Sequence, residues 1–249
     1  MNEPRISIIM ASYNSASFIE ESIQSVLAQT VTDWELIISD DCSKDDGIKI
    51  IKKYCEQDNR ISLITSKKNN GPAVTRNKAI DKAKGRYIAF LDSDDLWHVD
   101  KLEKQIKTLN ETNAALCYGY YDIINEVGQY LRTIQNIPTK TTYKSLLKNQ
   151  IIGCLTVIYD RNVCDKVKMP VIRKRQDYAL WLRILKKGHI AVCEQSVIGT
   201  YRLRENSVSS NKWIAIYYTW KMYREVERLP FLKSCYIFGC YIKSRLLKN

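Results

Sequence analysis

The chain has 249 residues, enough for one large domain, or one domain with a small appendage, at about 150 residues per domain. Hydrophobic residues make up 45% and charged residues 27%, which excludes a collagen-like, low-complexity or wholly disordered chain. The 39 Lys+Arg against 27 Asp+Glu leave a net charge of +12, an excess that suits an acidic partner: nucleic acid, an anionic membrane or a phosphorylated substrate.

Strand and helix signals alternate through the first hundred residues. Ile6 to Met10 reads as a buried strand. Ser15 or Ser17 can cap a helix carrying Phe18, Ile19, Ser22, Ile23, Val26 and Leu27 at helical spacing. Glu35 to Ser39 is a second strand, followed by a helix with Ile48, Ile51 and Tyr54 on one side. Ile61 to Ile64 is a third strand, and Gly71-Pro72 opens a helix through Ala83, because Pro suits a first turn. Arg86 to Leu91 is a fourth strand. This order predicts an α/β fold with a mostly parallel sheet covered by helices. Beyond Asp95 the pattern gives a helix over 99–110 and extended segments over 115–124 and 129–133. Residues 140–152 carry no clear period. A helix follows over 177–187, with Gly188 just after it, then an extended run over 190–203. From Asn211 the chain reads as helical, broken at Pro230. The parse is one domain over 1–210 and a helical extension over 211–249.

Eight cysteines include no Cys-x-x-Cys pair, and His98 and His189 are the only histidines, so zinc at the usual spacings is not expected. The cysteines read as small buried hydrophobes in a reducing compartment. The N-terminus lacks a signal-peptide apolar core, and the longest apolar stretch near the end, Cys235 to Ile242, falls short of the roughly 20 residues of a spanning helix. The expected place is the cytoplasm, with a peripheral position at the inner membrane face open to it.

Ligands of open parallel sheets bind at the carboxyl ends of the strands. There strand one ends in Ala11-Ser12-Tyr13-Asn14, strand two in Asp40-Asp41-Cys42-Ser43, and strand four in Asp92-Ser93-Asp94-Asp95. Five acids thus gather in a basic protein. Their repulsion calls for a cation, and Mg²⁺ or Mn²⁺ with oxygen ligands answers it, although such acids also cap turns and helices. No G-x-G-x-x-G follows the first strand and no G-x-x-x-x-G-K-[ST] occurs, so any phosphate lacks the usual glycine cradle.

The run from Ser7 to Asn14, Leu27-Ala28-Gln29-Thr30, Trp34-Glu35-Leu36-Ile37 and Asp40 to Asp45 resemble the start of a family 2 glycosyltransferase with the GT-A fold. So do Asn70-Gly71-Pro72-Ala73, Arg76-Asn77 and the stretch from Gly85 to Trp97. Gln176 to Arg183 resembles that family's Glu-Asp segment, and Tyr201-Arg202 with Ser207-Val208-Ser209 its late Tyr-Arg block. The resemblance is continuous to about residue 110 and patchy to about 210. It implies that Tyr13 stacks on a donor uracil, Asp41 accepts the ring N–H and Ala11 touches the base through its backbone. It places Arg76 near the base or diphosphate and Asp92 and Ser93 at the ribose. Asp94 would hold a Mn²⁺ or Mg²⁺ ion on the diphosphate, and Asp177 would be the general base. Such roles suit single displacement: a cation offsets the charge of the leaving diphosphate, and one carboxylate takes the acceptor proton.

The implied activity is inverting transfer from a UDP-sugar to a saccharide, expected to be polyprenyl-diphosphate-linked, in bacterial O-antigen or capsule synthesis. Gln176 stands in place of the family's Glu, Val99 in place of Pro, and Arg204 in place of His, which removes a metal ligand. Residues 212–249 hold eight Lys/Arg against two Glu, half of the net charge, and nine of the 25 aromatics. Two readings stand side by side: a surface for anionic membrane, or helices packed on the domain. Rival functions are a sugar-1-phosphate nucleotidyltransferase, which would want a glycine-rich basic loop after strand one, and a basic membrane- or nucleic-acid-binding module. No nucleic acid is expected, because the clustered acids would repel its phosphates.

Overall fold

The computed structural model describes residues 4–204 and 212–246. The N-terminal half runs β1 (Ile6–Ser12), α1 (Ile19–Leu27), β2 (Trp34–Asp40), α2 (Gly47–Gln57), β3 (Ile61–Thr65), α3 (Pro72–Lys82) and β4 (Tyr87–Asp92). It continues through β5 (Leu96–Trp97), α4 (Lys101–Thr112), β6 (Leu116–Ile124), β7 (Tyr130–Ile134), β8 (Lys140–Thr141) and α5 (Tyr143–Lys148). A 3₁₀ turn at Cys154–Thr156 leads to β9 (Ile158–Asp160), α6 (Arg161–Cys164), α7 (Gln176–Lys186) and β10 (Ala191–Arg202). Last come α8 (Lys212–Lys221), a π turn at Met222–Val226 and α9 (Phe231–Leu246).

The strand order is β3-β2-β1-β4-β9-β6-β10-β5, with β7 added to β6 and β8 to β10. The first four strands are parallel, as their alternation with helices predicts. The far half is mixed: β10 runs parallel to β6, while β9 inserts antiparallel between β4 and β6. Register decides what meets at the carboxyl edge. Ser12 lies beside Asp40, and Ala11 lies between Ser39 and Asp92.

Successive side chains of a strand point to opposite faces. On β1, Ile8 and Met10 enter a core with α1, α2 and α4, while Ile9 enters another with α3 and α7. The β4 ring of Phe90 meets Trp181 of α7 edge-on at 5.3 Å between centroids, which seats α7 on the sheet. Neither Ser15 nor Ser17 caps α1. The chain instead turns through a backbone bond from Phe18 N to Ser15 O, and the Ser15 hydroxyl pairs with Ser12 at 3.0 Å. Gly71 does stand before α3, at φ +84, with Pro72 in the first turn.

The expected 210/211 boundary falls outside the described residues, as does Ser207-Val208-Ser209. Packing nevertheless runs across it: Met222, Tyr223, Leu229 and Ile237 belong to the same core as Leu180 and Trp181 of α7. The cysteine expectation needs correction. All eight are free, but only Cys117, Cys164 and Cys193 are buried, and Cys235 is exposed on α9. Among the described residues no helix is long and apolar enough to cross a membrane.

Candidate active site

The loops after β1 and β2 are laced together. Asn14, in left-handed backbone at φ 47, donates its N–H to Ser43 Oγ at 2.9 Å, and its Oδ1 accepts the Lys44 N–H at 2.9 Å. Asp40 accepts the Ser43 N–H at 2.9 Å, and Asp45 accepts that of Ala16 at 2.8 Å. These bonds fix the backbone around Tyr13 and leave its side chain 48% exposed. Asp41 is buried beside it. Its two oxygens accept the N–H groups of Asn70 and Gly71 at 2.8 and 2.7 Å, so the carboxylate anchors the start of α3. Each oxygen retains a lone pair for a further donor.

The acids after β4 have separate partners. Asp92 pairs with Arg76, a buried residue of α3. Burial opposes the Arg76 charge, but the charge and hydrogen bond of Asp92, with smaller contributions from Cys154 and Asp177, hold the guanidinium above its usual pKa. Asp94 Oδ2 lies 3.2 Å from Arg204 Nη1. Burial and then the Asp92 charge push the Asp94 carboxyl up, against the pull of Arg204. Asp95 is buried and structural: its carboxylate accepts the Arg202 N–H at 2.9 Å, and its carbonyl accepts the Ser22 hydroxyl at 2.8 Å. Burial, Asp94 and Asp92 push its carboxyl well up. Arg202 also bonds the Asp94 carbonyl at 3.1 Å and Glu21 at 2.6 Å, tying β10 and α1 to the acidic turn.

Asp177 sits in the first turn of α7. The residue before that helix, Arg175, has left-handed backbone at φ 68. It donates to Thr219 Oγ1 at 3.1 Å and to the Tyr241 hydroxyl at 3.0 Å, so α8 and α9 fasten the start of α7. From the other side, Asn77 of α3 brackets Met169, donating to its carbonyl at 2.9 Å and accepting its N–H at 2.8 Å.

Ala11, Tyr13, Asp41, Arg76, Asp92, buried Ser93 and Asp94 thus share the carboxyl edge of the parallel half, and α7 brings Asp177 within electrostatic reach of it. The sequence reading missed Cys154. Cys154 is part-exposed as a residue, but desolvation of its sulfur raises the thiol well above the usual value, with Asp92 the largest of the charges acting on it. It follows the segment without a period, so no sequence signal marked it.

The residues fit a divalent ion held largely by substrate. Among the described residues no three His, Cys, Asp or Glu side chains converge as a cage. Mg²⁺ ordinarily needs only one or two carboxylates besides phosphate oxygens and water. Asp94, 25% exposed at its side chain, offers one such carboxylate.

A sequence model described as glycosyl transferase family 2 matches residues 7–166. TuaG of Bacillus subtilis (strain 168), named as a teichuronic acid biosynthesis glycosyltransferase, is 46% identical over 247 residues, 99% of this chain and 98% of that one. WfgD of Escherichia coli, named UDP-Glc:alpha-D-GlcNAc-diphosphoundecaprenol beta-1,3-glucosyltransferase, is 41% identical over 96% of this chain and 93% of its own. The fold resembles that of S. aureus TarS 1-349, solved with UDP-GlcNAc, at TM-score 0.73 and 19% identity over 96% of this chain and 71% of TarS 1-349. The nucleotidyltransferase and the non-catalytic module find no support in these likenesses. The chain belongs to glycosyl transferase family 2.

Proposed function

We propose that this glycosyltransferase transfers a sugar from a UDP-sugar, with inversion and with a divalent cation, to a saccharide carried on a polyprenyl diphosphate in bacterial surface polysaccharide synthesis. A lipid-linked acceptor places the work at the cytoplasmic face of the membrane. The observation that carries the reading is the Arg76–Asp92 ion pair at the end of β4, made from α3, the helix that shares a core with α7 and is tied through Asn77 to Met169 ahead of it. This supports a donor site at β4 with the Asp177 carboxylate of α7 as its neighbour. The acceptor chemistry rests on WfgD, whose name specifies a GlcNAc-diphosphoundecaprenol acceptor.

In this reading Tyr13 stacks on uracil while Asp41 accepts its N–H. Ala11 lines the base through its backbone, and Ser93 and Asp92 face the ribose. Arg76 holds Asp92 in place near the diphosphate. Asp94 holds Mn²⁺ or Mg²⁺, which offsets the charge of the leaving diphosphate when bound. Asp177 takes the acceptor hydroxyl proton. With Asp177 as the base and the acceptor hydroxyl as the nucleophile, the transfer is a single displacement, hence inversion.

The test is a screen of UDP-sugars against a synthetic lipid-diphosphate GlcNAc acceptor with Mn²⁺, Mg²⁺ or chelator. Transfer with inverted anomeric configuration, lost in chelator, is expected. Retention of configuration, or equal rates in chelator, would overturn the mechanism.

A further inference from the structure

We infer that the outward face of α9 is a docking surface for an anionic phospholipid bilayer. The inference stands apart from the sugar-transfer reading, since lipid binding is read without donor or acceptor.

α9 is apolar on both sides. Ser234, Ile237 and Tyr241, spaced by three and four residues, are buried against the domain. The opposite side exposes Leu232 at 82% and Tyr236 at 61%, with Gly239 beside them, and at its margin lie exposed Cys235 and Phe231, whose ring meets Trp220 of α8 edge-on. A surface helix of a soluble protein ordinarily presents polar residues there.

Cations frame this stripe. Lys233 and Lys243 are exposed on α9, and Lys144 and Lys148 on the adjacent α5. Lys148 Nζ lies 5.2 Å from the Tyr236 ring centroid, and the Arg224 guanidinium 5.8 Å from that of Phe231. Neither α5 nor the stretch from Arg228 to Leu246 contains an acidic residue. Of the neighbouring carboxylates, Glu225 pairs with Lys221 at 3.5 Å, and buried Glu227 is engaged by Lys186 at 2.9 Å and by the Tyr143 hydroxyl.

An apolar stripe with a cationic rim matches lipid headgroups above acyl chains. A second copy of the chain fits worse, because it would set one cationic rim against another. The face also has a fixed relation to the site. Tyr241 lies half a turn around α9 from Leu232 and bonds Arg175, two residues before Asp177. The two faces lie across one helix diameter, about 10–12 Å, and Tyr241 stands about 13 Å further along the axis than Leu232.

The experiment is co-sedimentation of the full chain with vesicles of phosphatidylglycerol and phosphatidylcholine, or of phosphatidylcholine alone. Binding to the anionic vesicles is expected, with partial release between 0.1 and 1 M salt as the Debye length falls from about 10 to about 3 Å. Leu232→Glu with Tyr236→Glu should lower the partition coefficient at least tenfold while melting temperature stays within a few degrees. Lys233→Gln with Lys243→Gln leaves the apolar stripe intact and should lower it about fivefold per cation. Absence of parent binding to anionic vesicles would overturn the inference. So would unchanged binding by both folded variants, or a glutamate variant that dissociates a dimer yet still binds vesicles.

Discussion

Arg204 Nη1 lies 3.2 Å from Asp94 Oδ2, so the residue that departs from the family pattern already neutralises the carboxylate proposed to hold the cation. Arg202 bonds the Asp94 carbonyl from the same strand end. A divalent ion must compete with a guanidinium that cannot lose its proton.

UDP should therefore raise the melting temperature chiefly when Mn²⁺ or Mg²⁺ is present, since a ligand stabilises by binding the folded state. Asp94→Asn should erase the metal-dependent part. Arg204→Gln should strengthen Mn²⁺ binding in the absence of nucleotide, read by calorimetry. An equal UDP shift in chelator would refute the metal role.

Asp177→Asn keeps the side-chain shape and removes the proton acceptor. Turnover should fall by roughly 10²–10⁴ while UDP still shifts the melting temperature normally. The carboxylate also favours the α7 dipole, an effect of about 0.3–1 kcal/mol, so stability should drop only slightly. A variant that transfers sugar at the parent rate would assign the base elsewhere.

Tyr13 and Asp41 should separate cleanly. Tyr13 is half exposed, so Tyr13→Ala should leave stability within about 0.5 kcal/mol of the parent and weaken UDP by about 1–3 kcal/mol of stacking. Asp41 holds two backbone N–H groups, and Asp41→Asn leaves one without an acceptor at about 1–3 kcal/mol. In the parent, UDP should outcompete CDP and ADP, which lack the ring N–H. Equal inhibition by all three would refute uracil recognition.

Lys101 is fully buried on α4, with Nζ 2.6 Å from Gln105 Oε1 and 4.1 Å from the Trp97 ring centroid. Burial pushes its ammonium down from 10.5 to about 7. Between those values the unfolded chain holds the proton and the folded chain does not, so this group's contribution to stability rises with pH. Relative to Lys101→Met, the parent should gain up to about 1.4 kcal/mol per pH unit over that window in urea unfolding. Parallel pH profiles for the two proteins would show that Lys101 stays charged in the fold.

The parallel half was legible because β1, β2 and β4 are buried runs ending in polar clusters, and helical spacing marks the elements between them. Their register then brings Ala11, Asp40 and Asp92 to one edge. The antiparallel insertion of β9 was not legible: it is three residues long, follows an aperiodic segment, and owes its place to packing between β4 and β6. Asp95 reads like its neighbours in sequence, yet long-range bonds from Arg202 and Ser22 make it structural. The basic, aromatic tail reads equally as a membrane surface and as core. The structure gives α9 one buried side and one exposed side, so removing residues after Leu229 would strip Ile237 and Tyr241 from the interior and should impair folding.

The left-handed backbone at Arg175 also has a place in time. A non-glycine residue there is strained by about 1–2 kcal/mol, and its guanidinium is held by Thr219 and by Tyr241, 66 residues further along. At about 5–20 residues per second, the ribosome adds Tyr241 about 3–13 s after Arg175. During that interval the sheet and its carboxyl edge can form while the start of α7 lacks its last support. The nascent chain thus gains the carboxyl edge of its sheet first and the final setting of the Asp177 segment afterwards, when α9 has docked.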